Sequence, residues 1–250
     1  MNRFDGKTII VTGAGSGIGE ASASRFATEG GSVVVVDLDL GAAERTAAAI
    51  GRDALAVGAD ISDPGSVAEM MRVAIDAFGT IDVLHANAGI GQPITALEDT
   101  TLQDWRRIMD VNLTGTFLTV QAVTQAMKTT GGGSIVVTSS VSSLRPRPGM
   151  AAYITSKAAL NGFVRALALE LASIPIRVNA VLPAAARTPM LAAMSYGDDV
   201  EASIATMGES LPLGRVLDPS DLAAAVAYLA SDEAANVTGV LLNVDGGRNL

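Results

Sequence analysis

The feature that most constrains this chain is a glycine-rich turn placed directly after a short β-branched run. Thr8–Thr12 (TIIVT) suits a buried parallel strand, and Thr12-Gly13-Ala14-Gly15-Ser16-Gly17-Ile18-Gly19 follows at once. A helical pattern then runs over Glu20–Glu29. Glycines at such a junction let backbone N–H groups approach a pyrophosphate closely. The helix N-terminus adds partial positive charge. The spacing is Gly13-x3-Gly17-x-Gly19, so the strict GxGxxG pattern is not met, because Ile18 holds its sixth position. A glycine turn can be purely structural, but its place straight after the first strand favours binding.

The same alternation continues along the chain. Short apolar runs at Ser32–Val36, Ala54–Gly58, Val83–Ala86, Ser134–Ser139, Arg177–Leu182 and Val240–Val244 read as strands. Between them lie helical patterns at Ala42–Ile50, Pro64–Phe78, Leu102–Met127, Ala151–Ala172 and Leu222–Leu229. Asp63 is a plausible N-cap before Pro64 at the first helical position. The pattern predicts an α/β fold. It is a single-domain, Rossmann-like, doubly wound parallel sheet of about seven strands over residues 1–250, with helices on both faces. Ligands in such sheets bind beyond the carboxyl ends of the strands, where the strand order reverses. The segment Pro189–Pro212 has weak periodicity and reads as a mobile substrate-binding loop.

Residues just after strands therefore carry the information. Asp37 ends the second strand, eighteen residues beyond Gly19. A carboxylate there can accept hydrogen bonds from ribose hydroxyls and would repel a 2′-phosphate. Leu38 follows it, and Ala14 and Ser16 are not basic, so NAD(H) is expected and NADP(H) disfavoured. A plain strand-end aspartate is the alternative reading. The formal charge of -9 argues against nucleic acid and anionic lipid as partners. The absence of Cys excludes thiolate chemistry and cysteine metal sites. His85, the only histidine, excludes a multi-histidine metal site and reads as a hydrogen-bonded core residue. No apolar stretch is long enough to span a membrane, and the N-terminus lacks a signal-peptide core. The expected localisation is cytoplasmic.

Tyr153 and Lys157 stand four residues apart in a helical pattern, so they share a face. Ser139-Ser140 end the fifth strand, thirteen positions before Tyr153. Together with TGAGSGIG at Thr12–Gly19, ANAG at Ala86–Gly89, VNLTG at Val111–Gly115, TSS at Thr138–Ser140, YITSK at Tyr153–Lys157 and NVDGG at Asn243–Gly247, the chain resembles the classical short-chain dehydrogenase/reductase family. The resemblance covers almost its whole length.

The resemblance implies an NAD-dependent oxidoreductase that interconverts a secondary alcohol and a ketone. Tyr153 would be the general acid/base, and Lys157 would lower its pKa and bind the nicotinamide ribose. Ser140 would hydrogen-bond the substrate oxygen, and Asn112 would hold a water linking Lys157 to solvent. A phenol has a pKa of about 10, and a nearby cation lowers an acid's pKa by roughly 1–3 units, towards working pH. By position the resemblance also implies cofactor contacts at Gly13, Ser16, Gly17, Ile18, Gly19, Asp37, Leu38, Asp60, Ile61, Asn87, Ala88, Gly89, Pro183 and Thr188, besides Tyr153 and Lys157. Asn87 has a purely structural reading as well. A homotetramer is implied by analogy alone.

The chain departs from the family pattern after the sixth strand, where Ala184 follows Pro183 in place of the usual Gly, and Ala185-Ala186 come next. That makes the path of this loop an open question. The substrate pocket is expected between Gly91–Ile94, Val141–Met150 and Pro189–Pro212. Leu144, Met150, Leu191, Met194, Tyr196 and Met207 would make it apolar and adaptable. Arg145 and Arg147 fall in the second segment. An arginine fork can bind a carboxylate or phosphate, though loop arginines are more often solvated. The expected substrate is a small or medium-sized alcohol or ketone. The alternatives are a 3-oxoacyl thioester reductase, a non-catalytic dinucleotide-binding sensor, and an epimerase or dehydratase on the same fold.

Overall fold

A computed structural model describes residues 2–51, 53–193 and 200–250. Strands β1 (Thr8–Thr12), β2 (Ser32–Asp37), β3 (Ala54–Gly58), β4 (Val83–Ala86), β5 (Gly133–Thr138), β6 (Ile176–Pro183) and β7 (Leu241–Val244) form one sheet in the order β3-β2-β1-β4-β5-β6-β7. Every pairing is parallel. The seven strand positions expected from the sequence are all present, with no end shifted by more than one residue.

Burial explains why these runs are strands. Thr8–Thr12 is buried throughout, and Val33–Val36 likewise. Ile10, Val34, Val36, Leu84, Ile135 and Val137 face one core, while Ile9, Val11, Val33, Val35, Val83 and Val136 face the other. A strand covered on both sides needs apolar residues at every position, and β-branched ones fit the pleat. Helices α1 (Gly17–Thr28), α2 (Leu40–Ile50) and α9 (Pro219–Ala230) cover one face. Helices α3 (Pro64–Phe78), α5 (Thr116–Thr130) and α6 (Ala151–Glu170) cover the other. Asp63 caps α3 as expected, its carboxylate accepting from Ser66 N at 2.7 Å. Such a cap contributes about 1 kcal/mol.

Two differences from the sequence reading concern the site. The pattern over Leu102–Met127 is not one regular helix. Helix α4 (Leu102–Met109) passes into a π-helical segment, Asp110–Gly115, before α5 begins. The wider turn points Asn112 into the interior, and π segments of this kind recur at functional sites. The described part of 189–212 holds two short helices, α7 (Pro189–Ala193) and α8 (Val200–Glu209). Met194 and Tyr196, expected in the pocket wall, lie outside the described residues. Among the described residues, no helix is long and apolar enough to cross a membrane.

The strand order reverses between β1 and β4. The ends of those strands are clamped together. Thr12 Oγ1 accepts from Asn87 N at 3.0 Å and Ala88 N at 3.1 Å, and Asn87 Nδ2 donates to Thr12 O at 3.1 Å. The structural reading of Asn87 is thus directly visible.

Candidate active site

A cavity of about 570 Å³ opens at the carboxyl ends of the strands, along the reversal point. At one end it is lined by the glycine turn, Asp37, Leu38, Asp60 and Ile61; at the other by Ser140, Tyr153, Lys157 and Thr188. Of the expected cofactor contacts, Gly13, Ser16, Gly17, Ile18, Asn87, Ala88, Gly89 and Pro183 also line it. Gly19 does not reach the wall. It lies beneath the turn, where a Cβ would come 2.0 Å from Gly13 O. Only glycine lets the helix start pack so tightly. Gly17 has φ of 56° and faces Thr188, whose Cγ2 would lie 2.9 Å from any Cβ there. Thr188 is therefore held against the turn from across the cavity.

The turn fits a dinucleotide on structural grounds. Ser16 is the N-cap of α1 but makes no side-chain capping bond, whereas the caps of α2, α3, α4 and α9 all do. The first N–H groups of α1 thus look onto the cavity, where a pyrophosphate would satisfy them. Asp37 is held in place, with Oδ2 accepting from Gly15 N at 2.9 Å and Oδ1 from Asp39 N at 3.1 Å. Each carboxylate oxygen keeps a further lone pair for a ribose hydroxyl. Asp60 accepts from Ser62 Oγ at 2.6 Å, which orients the loop after β3. A nicotinamide dinucleotide in this cradle would supply the hydride carrier.

At the other end the reactive side chains are buried. Tyr153 and Lys157 rise from the first turns of α6, 8% and 4% exposed. Tyr153 N is fixed by Gln92 Oε1 at 3.0 Å. Ser140, next to the end of β5, shares the cavity wall with Tyr153. Burial raises the Tyr153 pKa above the ordinary phenol value; the Ser140 hydroxyl and the positive charge of Arg147 pull against it. Lys157 stands close to the same ring. Its ammonium donates to Thr138 O at 2.8 Å and lies 5.9 Å from the Tyr153 ring centre. Burial brings the Lys157 pKa down to about 8.

Asn112 is fully buried and ties the segment after β4 to α6. Its Oδ1 accepts from Ile90 N at 2.8 Å, and its Nδ2 donates to Ile90 O at 3.0 Å and Ser156 Oγ at 3.1 Å. A Cβ on Gly89 would lie 3.1 Å from Asn112 Oδ1 and 3.4 Å from Lys157 Nζ. Asn112, Gly89 and Lys157 are therefore close neighbours. The loop after β6 accepts its alanines without strain. Among the described residues no non-glycine has a positive φ, and Ala186 bridges Leu217 in parallel fashion. Leu217 N donates to Ala185 O and Arg187 N to Leu217 O, both at 2.9 Å. The missing Gly at 184 is thus compatible with an ordered loop.

Sequence reasoning named Ser140, Tyr153, Lys157 and Asn112, and the structure brings all of them to this end. It missed Gln92 as the support of Tyr153, and Arg248 in the cavity wall. Gln92 carried no signal beyond its place within the expected pocket segment Gly91–Ile94. Arg248 carried none at all, since it reaches the cavity only because Gly246 and Gly247, with φ of 60° and 86°, turn the chain back.

Comparison with known proteins agrees with this geometry. A family model described as enoyl-(acyl carrier protein) reductase matches residues 13–249. The cis-4-hydroxycyclohexanecarboxylate dehydrogenase of Sinomonas cyclohexanicum is 39% identical over 98% of this chain and 97% of its own. The cyclohexanol dehydrogenase of an Acinetobacter strain is 36% identical over 98% and 96%. The crystal structure of 3-ketoacyl-(acyl-carrier-protein) reductase from Brucella melitensis, complexed with NADH, shares 40% identity over 98% of this chain and 99% of that one, with a TM-score of 0.92. These likenesses span the strand-end cavity and both its ends. The chain belongs to the short-chain dehydrogenase/reductase family.

Proposed function

We propose that this protein is an NAD(H)-dependent oxidoreductase that interconverts a secondary alcohol and a ketone. A nicotinamide dinucleotide held in the cavity would supply the acceptor for the hydride that leaves the alcohol carbon. In oxidation the Tyr153 phenolate takes the hydroxyl proton as the ketone forms and returns it to solvent. Reduction runs the same steps backwards. Ser140 holds the substrate oxygen beside the phenol. Lys157 binds the nicotinamide ribose, and Asn112 positions the backbone beneath it. The contacts from Gly13 to Thr188 hold the cofactor, with Asp37 selecting NAD(H) over NADP(H). Residues of 189–212, among them Leu191 and Met207, form the substrate wall.

The observation that carries this reading is the gathering of Ser140, Tyr153 and Lys157 in the same cavity as the uncapped glycine turn. The similar dehydrogenases of cyclohexanols make a cyclic alcohol the first choice. Likeness to the Brucella reductase supports the second reading, a 3-oxoacyl thioester reductase. The test is a panel of cyclic and linear secondary alcohols, ketones and acetoacetyl coenzyme A, followed by NADH absorbance. Tyr153→Phe is expected to lower kcat by roughly 10²–10⁴-fold with NADH binding retained. Near-wild-type turnover in Tyr153→Phe overturns the assignment, and NAD binding with no turnover of any panel member supports the sensor instead.

A further inference from the structure

The cavity is electrically polarised. Its carboxylates among the described residues are Asp37 and Asp60, which follow β2 and β3 at one edge of the sheet. Its cationic side chains are Arg145, Arg147, Lys157 and Arg248. They follow β5 and β7 or ride on α6, at the opposite side of the reversal point. In a chain of net charge -9, positive charge is thus gathered at the end where the substrate would sit.

The three arginines have different occupations. Arg145 is exposed and donates to the backbone oxygens of Arg248 and Leu250, so it ties that segment to the loop after β5. Arg147 and Arg248 are half-buried. Arg147 Nε donates to Met150 Sδ at 3.1 Å, a weak acceptor that orients the side chain without neutralising it. The ion pairs among the described residues all involve other cations. Partly buried guanidinium groups without a carboxylate leave their fork of N–H donors open, and that fork matches a planar anion.

We infer that Arg147, assisted by Arg248, is a specificity residue that binds a carboxylate on the substrate, so that the preferred substrate is a hydroxy acid or the corresponding keto acid. This deepens the reading of Tyr153 as acid/base and rests on it. Arg147 lies in the loop that leads into α6, and its charge already acts on the Tyr153 phenol. A carboxylate placed there would neutralise Arg147 while the carbinol carbon lies beside Tyr153 and Ser140.

The test compares 4-hydroxycyclohexanecarboxylate with its carboxamide, which keeps the shape and loses the charge. Wild type is expected to favour the acid in kcat/KM by about tenfold or more. Arg147→Gln is expected to bring the ratio of acid to amide close to unity, Arg147→Lys to restore part of it, and Arg248→Gln to lower it less. Using the ratio removes any shared effect of Arg147 on the Tyr153 pKa. NADH binding shows that each variant is folded. A second arm measures binding of cyclohexanecarboxylate and cyclohexanecarboxamide to the NADH-loaded protein by fluorescence. Arginine-dependent carboxylate binding without turnover would uphold the subsite and refute the oxidoreductase reading. Equal use of acid and amide by wild type, or an unchanged ratio in Arg147→Gln, overturns the subsite and leaves that reading standing. Arginine-dependent preference for acetoacetyl coenzyme A, anionic only on its phosphates, also overturns the carboxylate assignment.

Discussion

The single histidine offers a sharp test of how this interior handles charge. His85 lies in β4 with no solvent exposure. Its Nε2 meets Thr138 Oγ1 at 2.9 Å, and that hydroxyl donates to Asn87 Oδ1 at 3.1 Å. Thr138 has committed its proton to Asn87, so His85 must donate from Nε2. Its Nδ1 is then a bare lone pair, buried with no partner among the described residues. Protonating Nδ1 would bury a cation with nothing to receive the new N–H. Burial accordingly lowers the His85 pKa from 6.5 to about 3. In the unfolded chain the imidazole titrates normally, so between pH 6.5 and 3 the unfolded state binds more protons. Stability must therefore drop as the pH is lowered through that window, by about 1.4 kcal/mol per unit, or about 5 kcal/mol in all. That is a large share of the roughly 5–15 kcal/mol that holds a domain together. Carboxylates titrate in the same window, so the measurement is differential: urea stability of wild type and His85→Leu at matched pH. The gap between them is expected to be flat above pH 7 and to shift against wild type below 6.5. NMR gives a direct check, because one histidine means one imidazole signal. A signal that titrates near pH 6.5 while the protein stays folded refutes the reasoning.

Lys157 obeys the same logic at the other end of the scale. Its pKa falls from 10.5 to about 8, so wild type is expected to gain about 1.4 kcal/mol per pH unit over Lys157→Met between pH 8 and 10.5 in denaturation experiments. Asp37→Ser removes the charge that faces a 2′-phosphate, and the NADP affinity is expected to rise by roughly tenfold by fluorescence titration. Gly19→Ala places a methyl against Gly13 O, so both NADH binding and Tm are expected to drop, with binding lost by more than about tenfold. A variant that binds NADH normally would show that the turn is looser than its 2.0 Å clearance requires.

The strands were legible because each is a short β-branched run bounded by turn residues, a signal that needs no partner to read. The π segment at Asp110–Gly115 was not, since over six residues its apolar spacing cannot be told from that of an α-helix. The short helices α7 and α8 escaped for want of a strong apolar face. In the site, Tyr153 and Lys157 declare themselves by helical spacing. Arg147 was visible as a residue type, but its freedom from a carboxylate partner depends on what the rest of the fold brings near it. The bond from the Lys157 ammonium to the Thr138 carbonyl was not legible, because it depends on where β5 ends relative to α6.

That preference explains why the end of β5 matters so much. Thr138, Ser139 and Ser140 are consecutive, and each fixes a different part of the site. Thr138 receives Lys157 on its carbonyl and links His85 to Asn87 through its hydroxyl. Ser139 Oγ donates to Asn161 Oδ1 at 2.7 Å, which pins the end of β5 to α6. Ser140 leaves the strand and lines the cavity with Tyr153, its hydroxyl accepting from Ser142 N at 3.1 Å. Thr138 closes the strand and Ser139 and Ser140 lie just beyond it, so the three consecutive residues serve the β4 side, the helix side and the cavity in turn. The buried polar groups here are mutually satisfied with the exception of His85 Nδ1. A network of that kind is rigid because any shift leaves a buried donor or acceptor without its bond, at about 1–3 kcal/mol each. Rigidity at this point is what holds a weakly acidic phenol, a serine hydroxyl and an ammonium in fixed relation before any ligand arrives.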